Sequence, residues 1–578
     1  MAQTLIDQFL ETAEKFAAKP ALKFKQDGVW FTLNFGEVNE KVRQFACGLK
    51  GLGCRPNDKV AILSPNCPQW VIADLASMAI GAVTVPVHTT LSPKLTAHIL
   101  KDSESKFLVI STNEQLEEVM LHINELSHLE TIIYFNIVQI GELKVPVKII
   151  SFDELISSGQ KNISGCDFKP AQEDIASIIY TSGTTGLPKG VMLSHKNFLS
   201  NAKAALAHVP VFQDDLLLSF LPLSHVLERT AGYYAPFVCC GACIAYAQSA
   251  KTLVDDLKEV RPTILISVPR IFERVHKKIW EKAMAGSKLK KKLFLTALKQ
   301  KKGTFLYKFF DILVFKKIRA AFGGKFRLTI SGGASLNAQL AKFFDKVGIL
   351  IIEGYGLTET SPVISTNLPN KIKFGSVGKT VPGVKVKIVA DKEILVQGPN
   401  VMKGYFKNDA AAKEAIDEAG WFHTGDLGFV DGDGYLTIIG RKKEMIVLAN
   451  GKNVWPEPIE NMLNDDRYFL QTVIFGNSRN FIICLIVPNW EEVCAYAKIN
   501  SIASHLPQDL INDEKIVKLF KERLDMICCH LSDWEKPKRF VLLERELTQE
   551  NDELTPTLKL RRKTIENNFQ KHIAQIYQ

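Results

Sequence analysis

An alternation of short β-rich runs with helical stretches constrains this chain more than any other feature. The runs VAILSP from Val60, AVTVPV from Ala82, FLVIST from Phe107 and TIIYF from Thr131 are separated by segments with helical spacing. A second series follows in SIIYT from Ser177, LLLSFLP from Leu216, TILISVP from Thr263, RLTISGG from Arg327 and ILIIEGYG from Ile349. Strand and helix taking turns in this way predict a mostly parallel α/β sheet in each series. Most of these runs end in a Gly, Ser, Thr or Pro turn. In open α/β sheets ligands sit beyond the carboxyl ends of the strands, so those turns are where chemistry is expected.

The ends of the chain differ from this middle. Leu5, Phe9, Ala13 and Phe16 share a helical face, and Ala21 to Phe35 reads as a hairpin around Gln26-Asp27-Gly28. From Gly375 to Ile439 the texture changes to short strands and turns (KVKIV, EILVQG, GYLTII), interrupted by Asp431-Gly-Asp-Gly434. The expected organisation is therefore a large unit over 1–440 with a β-rich part at about 375–439, a linker at 441–443, and a small α/β unit over 444–578. A chain of 578 residues is too long for one ordinary hydrophobic core.

Composition excludes several classes. The N-terminus lacks a basic stretch followed by an apolar one, so it does not read as a secretory signal. The most apolar run, Trp70 to Val87, contains Asp74, Gly81 and Pro86, and reads as a buried helix entering a strand rather than a span of ~20 residues. Eleven cysteines, an odd number, do not form a disulfide framework, and Cys240-Gly-Ala-Cys243 has no second such pair to complete a metal site. Reduced thiols in a cytoplasmic protein are expected. The net charge of +10 is confined to one place: residues 286–327 hold thirteen Lys or Arg against Asp311 alone. Within it, FLYKFFDILVFKKI combines bulky apolar residues with lysines, as a segment at the inner face of a membrane would. A buried helix pair with a solvated lysine face fits the same letters. No recognition motif accompanies the lysines, so no nucleic-acid partner is expected.

The strand SIIY runs into Thr181-Ser-Gly-Thr-Thr-Gly-Leu-Pro-Lys189-Gly. Small hydroxyl residues and glycines let backbone N–H and side-chain O–H groups close around phosphate oxygens, and Lys189 adds a cation. It is not a Walker A loop: Pro188 stands where that loop has glycine before the lysine, and Gly190 where it has Ser or Thr after it.

YTSGTTGLPKG resembles the phosphate loop of the adenylate-forming superfamily, which includes acyl-CoA synthetases, luciferases and peptide-synthetase adenylation domains. Further motifs follow in that family's order: Leu221-Pro-Leu-Ser-His225, Ser331-Gly-Gly-Ala-Ser-Leu336, Glu353-Gly-Tyr-Gly-Leu-Thr-Glu-Thr360, Trp421-Phe-His-Thr-Gly-Asp426, Gly440-Arg-Lys-Lys443 and Leu558-Lys-Leu-Arg-Arg562. The resemblance implies two stacked αβ subdomains with a β-rich one, a mobile C-terminal domain, and ATP, Mg²⁺ and CoA as cofactor and co-substrates. It implies that Thr181, Ser182, Gly183, Thr184, Thr185, Gly186 and Lys189 hold phosphates, that Glu359 ligates Mg²⁺, and that Thr358 bonds the α-phosphate. Tyr355, between Gly354 and Gly356, would stack on adenine, with Gly332, Gly333 and Ala334 on the other face. Asp426 and Arg441 would serve the ribose and phosphate, and His225 the acyl-carboxylate side. Lys559 would bridge the carboxylate and the α-phosphate. The segment lacks the glycine usual before that lysine, which leaves Lys563 as the alternative. Lys443 would be the pivot of a domain rotation that brings the loop at Gly451 to the CoA pantetheine.

LPLSHVLERTAGYY and SVPRIFERVHKKIWEKA resemble the long-chain fatty acyl-CoA synthetase branch. The implied reaction joins a fatty acid, ATP and CoA into acyl-CoA, AMP and pyrophosphate. Transfer from acyl-AMP to a carrier-protein thiol, another carboxylic acid as substrate, and a non-catalytic relative are the competing readings.

Overall fold

The computed structural model describes residues 3–136, 146–161, 169–181, 187–249, 251–502, 506–555 and 559–577. The first alternating series forms an eight-stranded sheet. Lys59–Leu63 lies between Val83–Val87 and Ser105–Ile110, followed outward by Thr131–Tyr134 and Lys148–Ser151, all parallel. On the other side Val83–Val87 pairs with Ile175–Thr181, then come Lys189–Ser194 and the short Gly404–Tyr405, both antiparallel to their neighbours. Ile175–Thr181, which the sequence order puts at the head of the second series, thus completes the first sheet. Hydroxyls fix that pairing: Ser177 Oγ donates to the Thr84 carbonyl at 2.8 Å and Thr84 Oγ1 to the Ala176 carbonyl at 3.1 Å.

The second series builds a nine-stranded sheet on the parallel strands Cys243–Tyr246, Leu216–Ser219, Ile264–Ser267, Leu328–Ser331 and Ile351–Gly356. The N-terminal hairpin, Pro20–Gln26 with Val29–Asn34, extends its edge by pairing Leu22 with Ile244. Asp27 and Gly28 at its turn both have positive φ, 48° and 79°, the signature of a tight two-residue hairpin.

One apolar cluster joins the two sheets. It contains Leu22 and Ile244 from one, Ile62 and Ile179 from the other, and between them Trp70, Phe198, Tyr233 and Phe237 from three helical segments. Those segments are Pro68–Ala79, His195–His208 and the wide π-helical Glu228–Cys239. Arg229 is fully buried at the centre. It ion-pairs with Asp74, and its donors also reach Tyr234 at 2.7 Å, Ser177 at 2.7 Å and Thr84 at 2.5 Å. The acid that breaks the Trp70–Val87 run is therefore the partner of a buried guanidinium. Among the described residues no helix is long and apolar enough to cross a membrane.

A four-stranded antiparallel sheet, Lys385–Ile388, Glu393–Gln397, Phe422–Val430 and Leu436–Arg441, forms the β-rich part. Beyond it, Phe469–Phe475, Ile483–Pro488 and Arg539–Leu542 make a three-stranded sheet whose two faces carry apolar clusters of their own, one with Leu463 and Phe520, the other with Leu543 and Ile565. Among the described residues Cys54, Cys67, Cys243 and Cys528 are free thiols, whereas Cys47 is disulfide-bonded, which corrects the expectation of reduced thiols throughout. No cluster of three metal-ligating side chains occurs among the described residues.

Candidate active site

A cavity of about 1620 Å³ opens at the carboxyl ends of strands from both sheets. Thr181 and Lys189 stand on its wall as cross-strand partners at the base of the phosphate-type loop. Ser182, Gly183, Thr184, Thr185 and Gly186 lie outside the described residues. The Lys189 ammonium sits 5.3 Å from the centre of the Tyr405 ring, and the Tyr405 hydroxyl donates to Glu359 Oε1 at 3.0 Å. Tyr405 thus links two motifs far apart in sequence, a role the sequence reading missed. Its one local signal is an aromatic residue behind Gly404 in the phrase KGYF.

Glu359 occupies a single 3-10 turn, Thr358–Thr360, that follows the strand Ile351–Gly356. Thr358 is buried beside it and also lines the cavity. Burial holds the Glu359 carboxyl above its ordinary range, against the hydrogen bond from Tyr405 and the charge of Arg441. A carboxylate with one oxygen engaged, whose charge burial disfavours, suits a hard divalent cation held through one carboxylate plus substrate phosphates.

Gly332, Gly333, Gly354, Tyr355 and Gly356 line an adjoining wall. Gly333 has φ +80°, where a side chain is strained, and a Cβ on Gly356 would lie 1.7 Å from the Pro362 carbonyl oxygen. Ala334 is exposed and does not join this wall. The Tyr355 hydroxyl donates to Asp426 Oδ2 at 2.8 Å, while Arg441 Nε lies 3.0 Å from Asp426 Oδ1. Asp426 and Arg441 face each other across the last strand pair of the four-stranded sheet. Arg441 reaches the cavity; the Asp426 carboxylate is nearly buried behind it.

The C-terminal unit supplies the remaining charge. Lys559, an exposed residue, lines the cavity; its N–H donates to Thr555 Oγ1 at 3.0 Å and the Thr555 N–H donates to the Lys559 carbonyl at 2.8 Å. Protein around the cavity, and then the Arg441 guanidinium, lower the Lys559 pKa. Lys563 also borders the cavity, but from the exposed side of the helix Arg562–Asn568. Arg562 anchors this region to the C-terminal core through Glu460, at 2.6 and 2.5 Å.

A cavity that joins a phosphate-type loop, a glycine-lined wall, a buried carboxylate and a delivered lysine agrees with the family comparisons. Residues 9–406 match the AMP-binding enzyme family and residues 443–518 the AMP-binding enzyme C-terminal domain. The chain belongs to the AMP-binding enzyme family. It is an ATP-dependent, adenylate-forming ligase. It is similar to the long-chain-fatty-acid–CoA ligase FadD15 of Mycobacterium bovis, with 35% identity over 95% of this chain and 93% of that protein. It is also 29% identical to the chloroplastic long-chain-fatty-acid–[acyl-carrier-protein] ligase AEE15 of Arabidopsis thaliana, over 99% of this chain and 86% of that protein. The fold matches the anthranilate CoA ligase AuaEII in complex with anthranoyl-AMP at a TM-score of 0.77 and 21% identity, covering 99% and 98% of the two chains.

In this adenylate-forming enzyme His225 is half-buried on the cavity wall. Its Nδ1 accepts from the Leu227 N–H at 3.2 Å, which leaves Nε2 to carry the ring proton. Burial, then the charges of Lys559 and His88, push its pKa down to about 4, so it is a neutral donor at neutral pH. His88, not singled out from the sequence, lines the same cavity with its Nε2 buried and unpartnered. Part of the cavity lining is apolar, including Leu206, Val209, Val211, Ala231, Ala235 and Val363. Lys442 is tied to Asp391 at 2.7 Å and Glu393 at 2.9 Å, whereas Lys443, next in the turn Lys442–Glu444, is exposed. Gly451 is exposed, with φ +77°, and is not brought to the cavity in this arrangement.

Proposed function

We propose that this enzyme activates a long-chain fatty acid as acyl-AMP and then transfers the acyl group to CoA. The observation that carries the reading is Lys559 standing in one cavity with Lys189, Glu359, Tyr355 and Arg441. Two like-charged reactants, a carboxylate and a triphosphate, must be held together while charge develops at the α-phosphorus. Preorganised cations and donors in a water-poor site are the strongest means of doing so. In this reading Lys559 bridges the carboxylate and the α-phosphate, Thr358 donates to the α-phosphate, and Lys189 with Thr181 and the 182–186 loop grips the leaving pyrophosphate. Glu359 would hold Mg²⁺, which supplies charge neutralisation on the phosphates. Tyr355 stacks on adenine against Gly332 and Gly333, and Arg441, oriented by Asp426, meets the ribose and phosphate. His225 donates Nε2–H toward the acyl carboxylate.

The cavity exceeds the ~300–1,000 Å³ usual for one small ligand, which supports two substrates at once. Its apolar lining supports an acyl chain, and the similarity to FadD15 supports a long one. For the second half-reaction, Lys443 would absorb the backbone change while Lys442 stays fixed by Asp391 and Glu393. The loop at Gly451 would then replace Lys559 at the cavity and line the path of the CoA thiol. The lysine-rich segment 286–327 is assigned to peripheral membrane contact.

The testing experiment is pyrophosphate release over a ladder of fatty, aromatic and amino acids, with and without CoA. Rates peaking at long fatty acids, with CoA-dependent AMP release from preformed acyl-AMP, support the reading. The similarity to AEE15 favours one alternative, transfer to a carrier-protein thiol. AMP release that needs a carrier protein and ignores CoA would select it.

A further inference from the structure

The segment Phe305–Phe315, a helix Phe305–Phe310 running into a π-helical turn Asp311–Phe315, is apolar on two sides at once. One side, Tyr307, Phe310 and Phe315, is buried in the cluster with Phe272, Phe344 and Val347. On the other, Phe305 is 84%, Leu306 56%, Phe309 51% and Ile312 65% exposed. A helix that is apolar all round belongs in a core or in a membrane, and this one is only half covered by protein. The buried-pair alternative accounts for the first side and leaves the second without a partner.

Charge says what covers it. Lys308 within this segment, Lys316 and Lys317 just after it, and Lys288, Lys290 and Lys292 on the preceding helix Lys288–Lys299 are exposed and make no ion pair among the described residues. Three cations of 286–327 are paired, Lys302 with Asp345, Arg319 with Asp311 and Arg327 with Asp215, and the second of these pairs engages its one internal acid, Asp311. An apolar ridge within a segment rich in exposed, unpaired ammonium groups fits the headgroup boundary of an anionic bilayer. Apolar residues sit there ~5–10 Å deep and lysines meet lipid phosphates. A second copy of this chain would have to place the same lysines against one another.

We propose that Phe305, Leu306, Phe309 and Ile312 form a wedge that inserts into an anionic membrane, with the flanking lysines on its headgroups. This deepens the membrane contact named above and rests on it, not on the identity of the acid.

The test is co-sedimentation of the full chain with vesicles of phosphatidylcholine, with and without phosphatidylglycerol, in the absence of ATP and acid. Wild type should bind the anionic vesicles. The triple variant Lys308→Gln, Lys316→Gln, Lys317→Gln should bind on the order of 100-fold more weakly, from the share each lysine contributes near a charged surface. The triple variant Phe305→Ser, Phe309→Ser, Ile312→Ser should lose the part of binding that survives high salt. Circular dichroism should show both variants folded. Their pyrophosphate release with dissolved acid should match wild type, which separates failure of the wedge from failure of the ligase reading. Wild type that ignores anionic vesicles, or a serine variant that binds like wild type at high salt, overturns the proposal. A wild-type dimer in sedimentation velocity that the serine variant abolishes also overturns it, in favour of a self-association face.

Discussion

On the large unit and at its junction with the linker, Tyr355, Asp426 and Arg441 are tied to one another by hydrogen bond and ion pair before any substrate arrives. On the C-terminal unit, Lys559 has its backbone fastened to Thr555, while its ammonium makes no ion pair among the described residues. The first arrangement fixes direction: a guanidinium pinned by a buried carboxylate can point only one way. The second keeps a charge in reserve, since a cation held in a protein-lined cavity without a partner gains most when an anion enters. In the proposed two-step reaction, a wall that stays in place and a lysine that comes and goes would thus be built by opposite means. One hydrogen bond that joins the two units runs from Asn337 on the large one to Asp465 on the small one.

The comparison can be broken first at the rigid side. Arg229→Met leaves Asp74 buried without its cation, and thermal or urea unfolding should show a loss of about 3–5 kcal/mol. Adding Asp74→Leu should recover part of it; a single variant as stable as wild type would mean that the two layers are held together without this pair. Next comes the delivered lysine. Lys559→Ala should slow acyl-AMP formation by about 10²–10³-fold, read as pyrophosphate exchange. Thioester formation from supplied acyl-AMP should stay near wild type, and so should Lys563→Ala in both assays. If Lys563→Ala carries the large loss instead, the two lysines exchange roles.

A smaller effect is expected at Tyr405. Its hydroxyl bonds the ionised form of Glu359, so removing it raises a carboxyl that burial already holds high. Activity that needs the ionised form is lost as pH falls through this pKa. Tyr405→Phe should therefore move the acidic limb of the pH–rate profile upward, with about a tenfold loss below neutrality from one charge-assisted bond. An unmoved limb would show that Glu359 does not set it. The smallest effect is at the latch. Asn337→Ala should slow adenylation a few-fold, the value of one exposed hydrogen bond, and leave the thioester step unchanged or faster. Equal slowing of both steps would remove the latch from the argument.

Much of this was visible in the letters. The turns after Ile330 and Ile352 and the strand before Thr181 lead to the cavity because strand periodicity and small turn residues are local signals. Tyr405 was not, since nothing near it announces that it will stand between Lys189 and Glu359. Neither was the sheet to which Ile175–Thr181 belongs, nor the edge that Pro20–Gln26 joins; strand neighbours are chosen by contacts more than ninety residues apart, such as Ser177 with Thr84. Ala334 and Gly451 show the converse. Their motifs were legible, but the wall closes without Ala334, and Gly451 lies away from the cavity while Lys559 is in it.

The sequence by itself determined the α/β series, the order of the motifs and the chemistry each residue type could offer, because these depend on neighbours along the chain. Only the tertiary structure decided which charges meet. Burial lifts Glu359 and lowers His225, the walls of the cavity and the Arg441 charge lower Lys559, Asp426 is turned inward to aim Arg441, and an apolar ridge at Phe305 to Ile312 is left facing out. Those outcomes depend on what lies across a cavity or beyond a surface, and through-space burial and charge leave no trace in local sequence.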